Sequence, residues 1–376
     1  MGARKRTMEK LVIDPKFWHG RRVFLTGHTG FKGAWASLLL RGLGADVYGF
    51  ALPPEDSATL FEVAGVAGDI HHTLGDVRDL PVLRNAIEAA GPSVIIHMAA
   101  QSLVRLSYAE PVITYATNVM GTVNLLEAVR QVRGIEAVVV VTSDKCYENT
   151  GSAKGYRESD PMGGRDPYSS SKGCAELVTD SYRRSFFAHA GAPVVASGRA
   201  GNVVGGGDWA RDRLVPDAMR AFIEHQPLVI RNPAAVRPWQ HVLDPVIAYL
   251  RLAERLVRDG SAYAEGWNFG PEAASEVPVS TIADRLVSLW GNNAHWLKVG
   301  GEHPHEAAEL KLDCAKSAER LGWTPLLDLE QALQLTVDWY RSFAAKADVR
   351  AVTLRQIDGV LAGHVAGRSA THRIEA

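Results

Sequence analysis

Tyr168 and Lys172 stand four residues apart in Tyr168-Ser169-Ser170-Ser171-Lys172, a spacing that turns both toward one face of a helix. An ammonium held beside a phenol favours the phenolate, so the pair offers a general base working near neutral pH. Upstream lies Ser143-Asp144-Lys145, a second group with acid-base capacity. Asp144 can give a proton and Lys145 can take one, provided the site raises the first pKa and lowers the second. Ser143 can polarise a neighbouring oxygen. The bland alternatives are a solvated Asp144-Lys145 ion pair and a Ser143 hydroxyl that satisfies a backbone group.

These groups need a partner that accepts electrons, and Thr26-Gly27-His28-Thr29-Gly30-Phe31-Lys32-Gly33 supplies a place for one. The glycines at 27, 30 and 33 depart in spacing from the usual dinucleotide fingerprint but work by the same physics. Glycine lets a backbone approach closely, and the helix that follows points unpaired N–H groups and a favourable dipole at a diphosphate. Gly27, Thr29, Gly30, Phe31, Lys32 and Gly33 are therefore assigned to a dinucleotide cofactor. The second strand, Val47-Tyr48-Gly49-Phe50-Ala51-Leu52, has neither the carboxylate that holds an adenosine ribose nor an arginine for a 2′-phosphate, so it leaves NAD and NADP both open. Asp76-Val77 suits contact with the adenine; a turn or helix-capping aspartate is the competing reading.

The elements around these residues alternate. Short apolar runs at Val23–Thr26, Asp46–Phe50, Val94–His97, Ala137–Thr142 and Val194–Ala196 are separated by helical stretches at Phe31–Arg41, Pro81–Ala90, Thr114–Arg133 and Ser170–Ala190. This order predicts an α/β fold, a doubly wound parallel Rossmann-type sheet over residues 20–200, with Gly27, Asp76, Ala99, Ser143 and Asn202 at its carboxyl edge. Beyond Gly201 the pattern loosens, predicting a smaller, interleaved substrate-binding lobe over 201–345 and a segment near 240–260 that returns to the sheet. Residues 1–15 and 365–376 read as loose termini.

Composition bounds the function. With 41 Lys+Arg against 42 Asp+Glu, the net charge of -1 gives no electrostatic case for nucleic acid or an anionic membrane as partner. No window reaches the roughly 18 apolar residues of a membrane helix. The 3 cysteines are too few for a disulfide framework or a metal site of paired-cysteine spacing, which fits a reducing cytoplasm.

Taken together, Thr26 to Gly33, Asp76-Val77, His97-Met98-Ala99-Ala100-Gln101, Asn118, Tyr168 with Lys172, and Asn202 make the chain resemble the extended short-chain dehydrogenase/reductase family from Val23 to about Pro325. The resemblance implies that Ala99-Ala100 passes beside the cofactor, Asn118 supports a proton relay, Lys172 orients the nicotinamide ribose and Tyr168 exchanges the substrate hydroxyl proton. Within that family, Thr142-Ser143-Asp144-Lys145 is similar to the active-site segment of sugar-nucleotide 4,6-dehydratases. Lysine in the third place, His28 and Phe31-Lys32-Gly33 in the glycine turn, Arg237-Pro238-Trp239-Gln240-His241-Val242 and His303-Pro304-His305-Glu306-Ala307 are closer to those acting on CDP-glucose.

That likeness implies NAD as cofactor and an internal oxidation, elimination of water and re-reduction of the glucose ring. Asn202, Arg213, Arg237 and His305 would hold the sugar nucleotide, and a homodimer is expected through the long helices. Trp239 would stack near the base or simply pack, and Cys146 is expected to be a small buried hydrophobe. Dehydratases of dTDP-, UDP- or GDP-hexoses, a 4-epimerase and a non-catalytic nucleotide sensor are the alternatives. The epimerase has no need of Asp144 and Lys145, and the sensor would leave the intact Tyr168, Lys172 and Asp144 unexplained.

Overall fold

A strand that is apolar at nearly every position has no side to give to water, so runs such as Ala137–Val141 must be covered on both faces. In the computed structural model, which describes residues 13–151, 154–299 and 310–363, they are. The strands in chain order are β1 (Arg22–Thr26), β2 (Asp46–Ala51), β3 (His71–Leu74), β4 (Val94–His97), β5 (Ala137–Val141), β6 (Val194–Ala200), β7 (Asn202–Val204), β8 (Leu228–Ile230), β9 (Val236–His241), β10 (Gly266–Phe269), β11 (Glu276–Pro278) and β12 (Trp296–Lys298). Seven of them form one parallel sheet in the order β10-β6-β5-β4-β1-β2-β3, the doubly wound arrangement expected. Alternation within β1 shows the double cover: Val23 and Leu25 join a core with Trp35 and Leu39, while Phe24 joins a second core with Leu83 and Leu125.

Chain order reverses between β1 and β4, which lie side by side, and this opens a crevice at their carboxyl ends. Two small sheets form outside the main one, β11-β9-β7 and β12-β8.

Several boundaries differ from those expected. The helix expected at Ser170–Ala190 runs Pro167–Ser185, because the Asp166 carboxylate caps it and Pro167 fits its first turn. The stretch expected as one helix over Thr114–Arg133 is three pieces: Pro111–Tyr115, a π turn at Ala116–Met120, and Gly121–Gln131. The returning segment is longer than 240–260. It comprises the helix Leu243–Asp259 and then β10, which pairs with β6 as an edge strand. The helix Val349–Leu361 also comes back to the first lobe, where Arg350 reaches the Ala64 carbonyl and Asp69. Of the range 1–15, residues 13–15 are held in place: Ile13 is buried, and Asp14 caps the turn Pro15–Trp18 and pairs with Arg258. Residues 1–12 and 364–376 lie outside the described residues. No helix among the described residues is long and apolar enough to cross a membrane.

Candidate active site

The glycine turn closes against β4. Gly27 has a left-handed φ of 76°, and a Cβ there would stand 2.8 Å from the Ala99 amide nitrogen. A Cβ on Gly33 would collide with the Gly27 carbonyl oxygen. Thr26 fixes the facing strand end: its hydroxyl accepts from the Met98 and Ala99 amides, each at 3.1 Å, and bonds His97 Nδ1 at 2.7 Å. Burial and the charge of Lys172 push His97 down to about 3, so its neutral ring can accept that proton. Thr29 donates to the Leu52 carbonyl, tying the turn to the end of β2. The helix Phe31–Gly42 begins at Gly30 with no side-chain cap, which leaves its first amides free of a side-chain acceptor. A backbone cradle without Cβ atoms, ending in uncapped helix amides, fits a dinucleotide diphosphate. Gly33→Ala should therefore lower dinucleotide affinity by about ten-fold or more, roughly 1.4 kcal/mol, because the turn must shift to relieve the collision. Calorimetric titration with NAD checks it, and an unchanged Kd would remove the cradle from the site.

Asp144 and its neighbours arise at the end of β5. Ser143 caps a 3-10 turn over Asp144–Cys146: its hydroxyl accepts from the Lys145 amide at 3.2 Å and donates to Asp144 Oδ1 at 2.8 Å. Asp144 is only 2 % exposed, and its Oδ2 has no partner among the described residues. Lys145 is half-buried. Cys146 is fully buried, and burial pushes its thiol well up, so it is the inert hydrophobe expected.

Across from this turn, the Tyr168 helix brings Tyr168 and Lys172 into the same buried cluster. Tyr168 shares a hydrogen bond with Ser143, and its amide donates to Ser107 Oγ at 3.1 Å. The expectation of a base near neutral pH is corrected here. Burial pushes the phenol up to about 12, with Ser143 and Arg213 drawing it partly back and Asp144 and Asp166 opposing them. Lys172 is pushed down to about 8, chiefly by the same burial, with Glu176 pulling upward. Desolvation of the charged forms outweighs the pairwise attraction on which the helical spacing argument rested. Lys32 closes the cluster from the glycine turn. Burial, Arg213 and Lys172 lower it to about 8, and Asp144 and Asp208 offset this in part.

Asn118 lies in the π turn, a local widening common at functional sites. Its amide is fully engaged: Oδ1 accepts from the Gln101 amide at 2.8 Å, and Nδ2 donates to the Gln101 carbonyl at 2.9 Å and to Ser171 Oγ at 2.8 Å. Asn118 thus ties the loop after β4, which carries Ala99 and Ala100, to the helix of Tyr168. Ser107 and the role of Ser171 escaped the sequence reading because a lone hydroxyl carries no spacing signal.

Glu176 escaped it too, although it follows Lys172 by four on the same helix face. It is buried, pairs with Arg199 at 2.8 Å, and accepts from the Thr142 and Ser197 hydroxyls. These bonds lock β5 and β6 to the catalytic helix just below Ser143. Glu176→Gln leaves the Arg199 charge buried and uncompensated, so stability should fall by about 3 kcal/mol. The urea midpoint reads this directly, and an unshifted midpoint would mean that Arg199 is satisfied without the carboxylate.

The assigned nucleotide-contacting residues divide. Arg213 donates to Asp208 at 2.9 Å and to Ser102 Oγ at 2.8 Å, and its charge reaches Tyr168. Arg237 is buried in β9 and donates to the Val236 carbonyl. Asn202 opens β7 opposite Trp239 and is half-buried. Trp239 packs: it is buried and donates toward the Val277 carbonyl at 3.3 Å. Asp76 is engaged locally by Arg78, through its backbone amide and its guanidinium, and Val77 packs over Gly121. His305, with the rest of His303–Ala307, lies outside the described residues. Among the described residues no cluster of His, Cys, Asp or Glu is arranged to hold a metal.

A glycine cradle at the β1/β4 crevice, facing a buried tyrosine and lysine one helical turn apart, defines a short-chain dehydrogenase/reductase. Within that class the chain belongs to the family described as GDP-mannose 4,6 dehydratase, whose pattern it matches over residues 24–336. It is 51% identical over 350 residues, 92% of this chain and 98% of the relative, to "CDP-glucose 4,6-dehydratase" of Salmonella typhimurium (strain LT2). Among solved structures it is similar to DesIV, the dTDP-glucose 4,6-dehydratase of Streptomyces venezuelae solved with NAD bound, with a TM-score of 0.74 and 25% identity over 88% of this chain and 99% of that one. A UDP-glucose 4-epimerase of Thermotoga maritima has the same fold, with a TM-score of 0.74 at 20% identity over 85% of this chain and 99% of that one.

Proposed function

We propose that this chain is a CDP-glucose 4,6-dehydratase, a hydro-lyase that forms CDP-4-keto-6-deoxyglucose on bound NAD. The observation that carries the reading is Asp144-Lys145 at the end of β5, joined through Ser143 to Tyr168. A 4-epimerase needs the tyrosine but no acid-base pair beside it. The extent and identity of the match to the Salmonella enzyme support the nucleotide.

Bound NAD supplies a reversible hydride acceptor, and Gly27, Thr29, Gly30, Phe31, Lys32, Gly33 and Ala99, with Lys172 toward the nicotinamide ribose, are the residues that would hold it. Tyr168 takes the proton of the carbon 4 hydroxyl, with Ser143 steadying the same oxygen. The resulting ketone acidifies the carbon 5 hydrogen, which Lys145 removes. Asp144 protonates the carbon 6 hydroxyl, and water leaves. A proton returns from Lys145 to carbon 5 as carbon 6 is reduced, which resets Lys145, and the proton gained by Tyr168 must pass to Asp144 before the next turnover. Arg213 and Arg237 supply cations for the diphosphate, and Asn202 faces the sugar.

We assign the enzyme to the cytoplasm and the two lobes to 20–200 and 201–345, interleaved by the returning pieces described above. A homodimer is the assembly proposed: Val112 and Leu177, on neighbouring helices, are 79% and 61% exposed, and a second copy would cover them. Leu177→Glu should then halve the mass found by sedimentation, whereas a wild-type monomer would end this proposal.

The deciding assay incubates the protein and NAD with CDP-, dTDP-, UDP- and GDP-hexoses separately and follows loss of water by mass spectrometry. Dehydration of CDP-glucose alone supports the whole reading. Dehydration of another hexose discards CDP, and epimerisation discards the dehydratase.

A further inference from the structure

Tyr249 lies in the middle of the returning helix Leu243–Asp259, downstream of the Arg237–Val242 motif, and its side chain is fully buried against β6. Its ring is fixed. It meets Phe269 edge-on at 5.8 Å, and it presses on Gly198 of β6 so closely that a Cβ there would lie 2.8 Å from Cδ1 and Cε1. Gly198 is the residue whose carbonyl accepts from the Thr142 amide at 2.9 Å, one step before Ser143-Asp144. Three residues on, Gly201 makes room for the other partner: a Cβ there would lie 3.1 Å from Asp144 Oδ2. Gly198 on β6 thus admits the Tyr249 ring, and Gly201 just past the end of that strand admits the Asp144 carboxylate.

Both groups also have an unused polar atom. The Tyr249 hydroxyl and Asp144 Oδ2 are buried, and neither has a hydrogen-bond partner among the described residues. A phenol has one proton to donate, and a carboxylate oxygen has lone pairs to accept it. A buried hydroxyl left unpaired is destabilising compared with plain phenylalanine, so packing alone gives no reason for a tyrosine here. The charges of Asp144 and Tyr168 both act on the Tyr249 phenol, adding to the effect of burial in pushing its pKa up.

We propose that Tyr249 is a positioning residue for Asp144, its hydroxyl donating to Oδ2 during catalysis and steadying the carboxylate that forms when Asp144 gives its proton to the departing carbon 6 hydroxyl. In that step the Asp144 O–H bond breaks, the carbon 6–oxygen bond breaks, and water leaves with the proton. This inference rests on the dehydratase reading above and adds the group that orients its acid.

The test is Tyr249→Phe in the NAD-loaded enzyme with CDP-glucose. The ring, its contact with Gly198 and its packing on Phe269 are retained, so the fold is kept. Expected are a fall of about ten-fold in kcat with KM unchanged, the size of one lost charge-assisted hydrogen bond, and a melting temperature equal to or above that of the wild type. In an Asp144→Asn background the same change should slow single-turnover elimination no further, because two residues acting through one bond are not additive. Wild-type kcat in Tyr249→Phe, or an undiminished ten-fold loss in the double variant, overturns the inference and leaves the dehydratase reading standing. A wild-type protein that dehydrates no nucleotide sugar removes both.

Discussion

Tyr168→Phe should lower kcat for dehydration by about 10³-fold while changing the Kd for the nucleotide sugar by less than about three-fold, a few tenths of a kcal/mol. Every observed contact of residue 168 except those of its hydroxyl survives the change. The amide bond to Ser107 is backbone, the ring keeps its buried place, and Ser143 still has Asp144 to donate to. Only the oxygen that exchanges the carbon 4 proton is lost. Turnover by mass spectrometry and binding by calorimetry separate the two quantities. The buried phenol sits at about 12 in the protein alone, so it ionises only against strong local cationic charge. Substrate oxidation in the variant at the wild-type rate would remove Tyr168 from the chemistry.

What the sequence disclosed follows from which signals are local. The glycine turn was readable because Gly27 and Gly33 answer to a steric demand that few other residues meet, and the turn sits between a strand and a helix. Tyr168 and Lys172 were readable because helical spacing converts directly into a shared face. Contacts between distant segments were not. The Glu176–Arg199 pair and the approach of Tyr249 to β6 depend on how β6 and the returning helix dock, and no window of sequence contains both partners. The π turn around Asn118 escaped because its side chain, bonded to Gln101 and Ser171, reshapes a stretch whose pattern reads as plain helix. The strand β10 escaped because Gly266–Phe269 is short and joins the sheet only by pairing with β6. The pKa reading failed for a different reason: spacing predicts which charges meet, whereas loss of water around both buried groups moves their pKa values further than that meeting does.

The same distinction between contact and environment sharpens the expectation for Asp144→Asn. Asparagine keeps an oxygen for the Ser143 hydroxyl and nearly the same volume, so the turn over 144–146 should hold its shape. The variant cannot protonate a leaving hydroxyl. Elimination should slow by about 10² to 10³-fold, while oxidation at carbon 4, which uses Tyr168, continues. Two steps that are fused in the wild type then come apart, and reduced nicotinamide should build up on the enzyme to near one equivalent per site. Its near-ultraviolet absorbance after rapid mixing with CDP-glucose measures this without any product assay. Lys145→Ala should give the same accumulation, because proton removal at carbon 5 and departure of the hydroxyl at carbon 6 belong to one elimination. If Asp144→Asn instead dehydrates at the wild-type rate, the carboxylate is a structural acceptor for Ser143. If it blocks reduction of the nicotinamide altogether, Asp144 acts with Tyr168 in the first step, and the division of labour between the end of β5 and the Tyr168 helix is wrong.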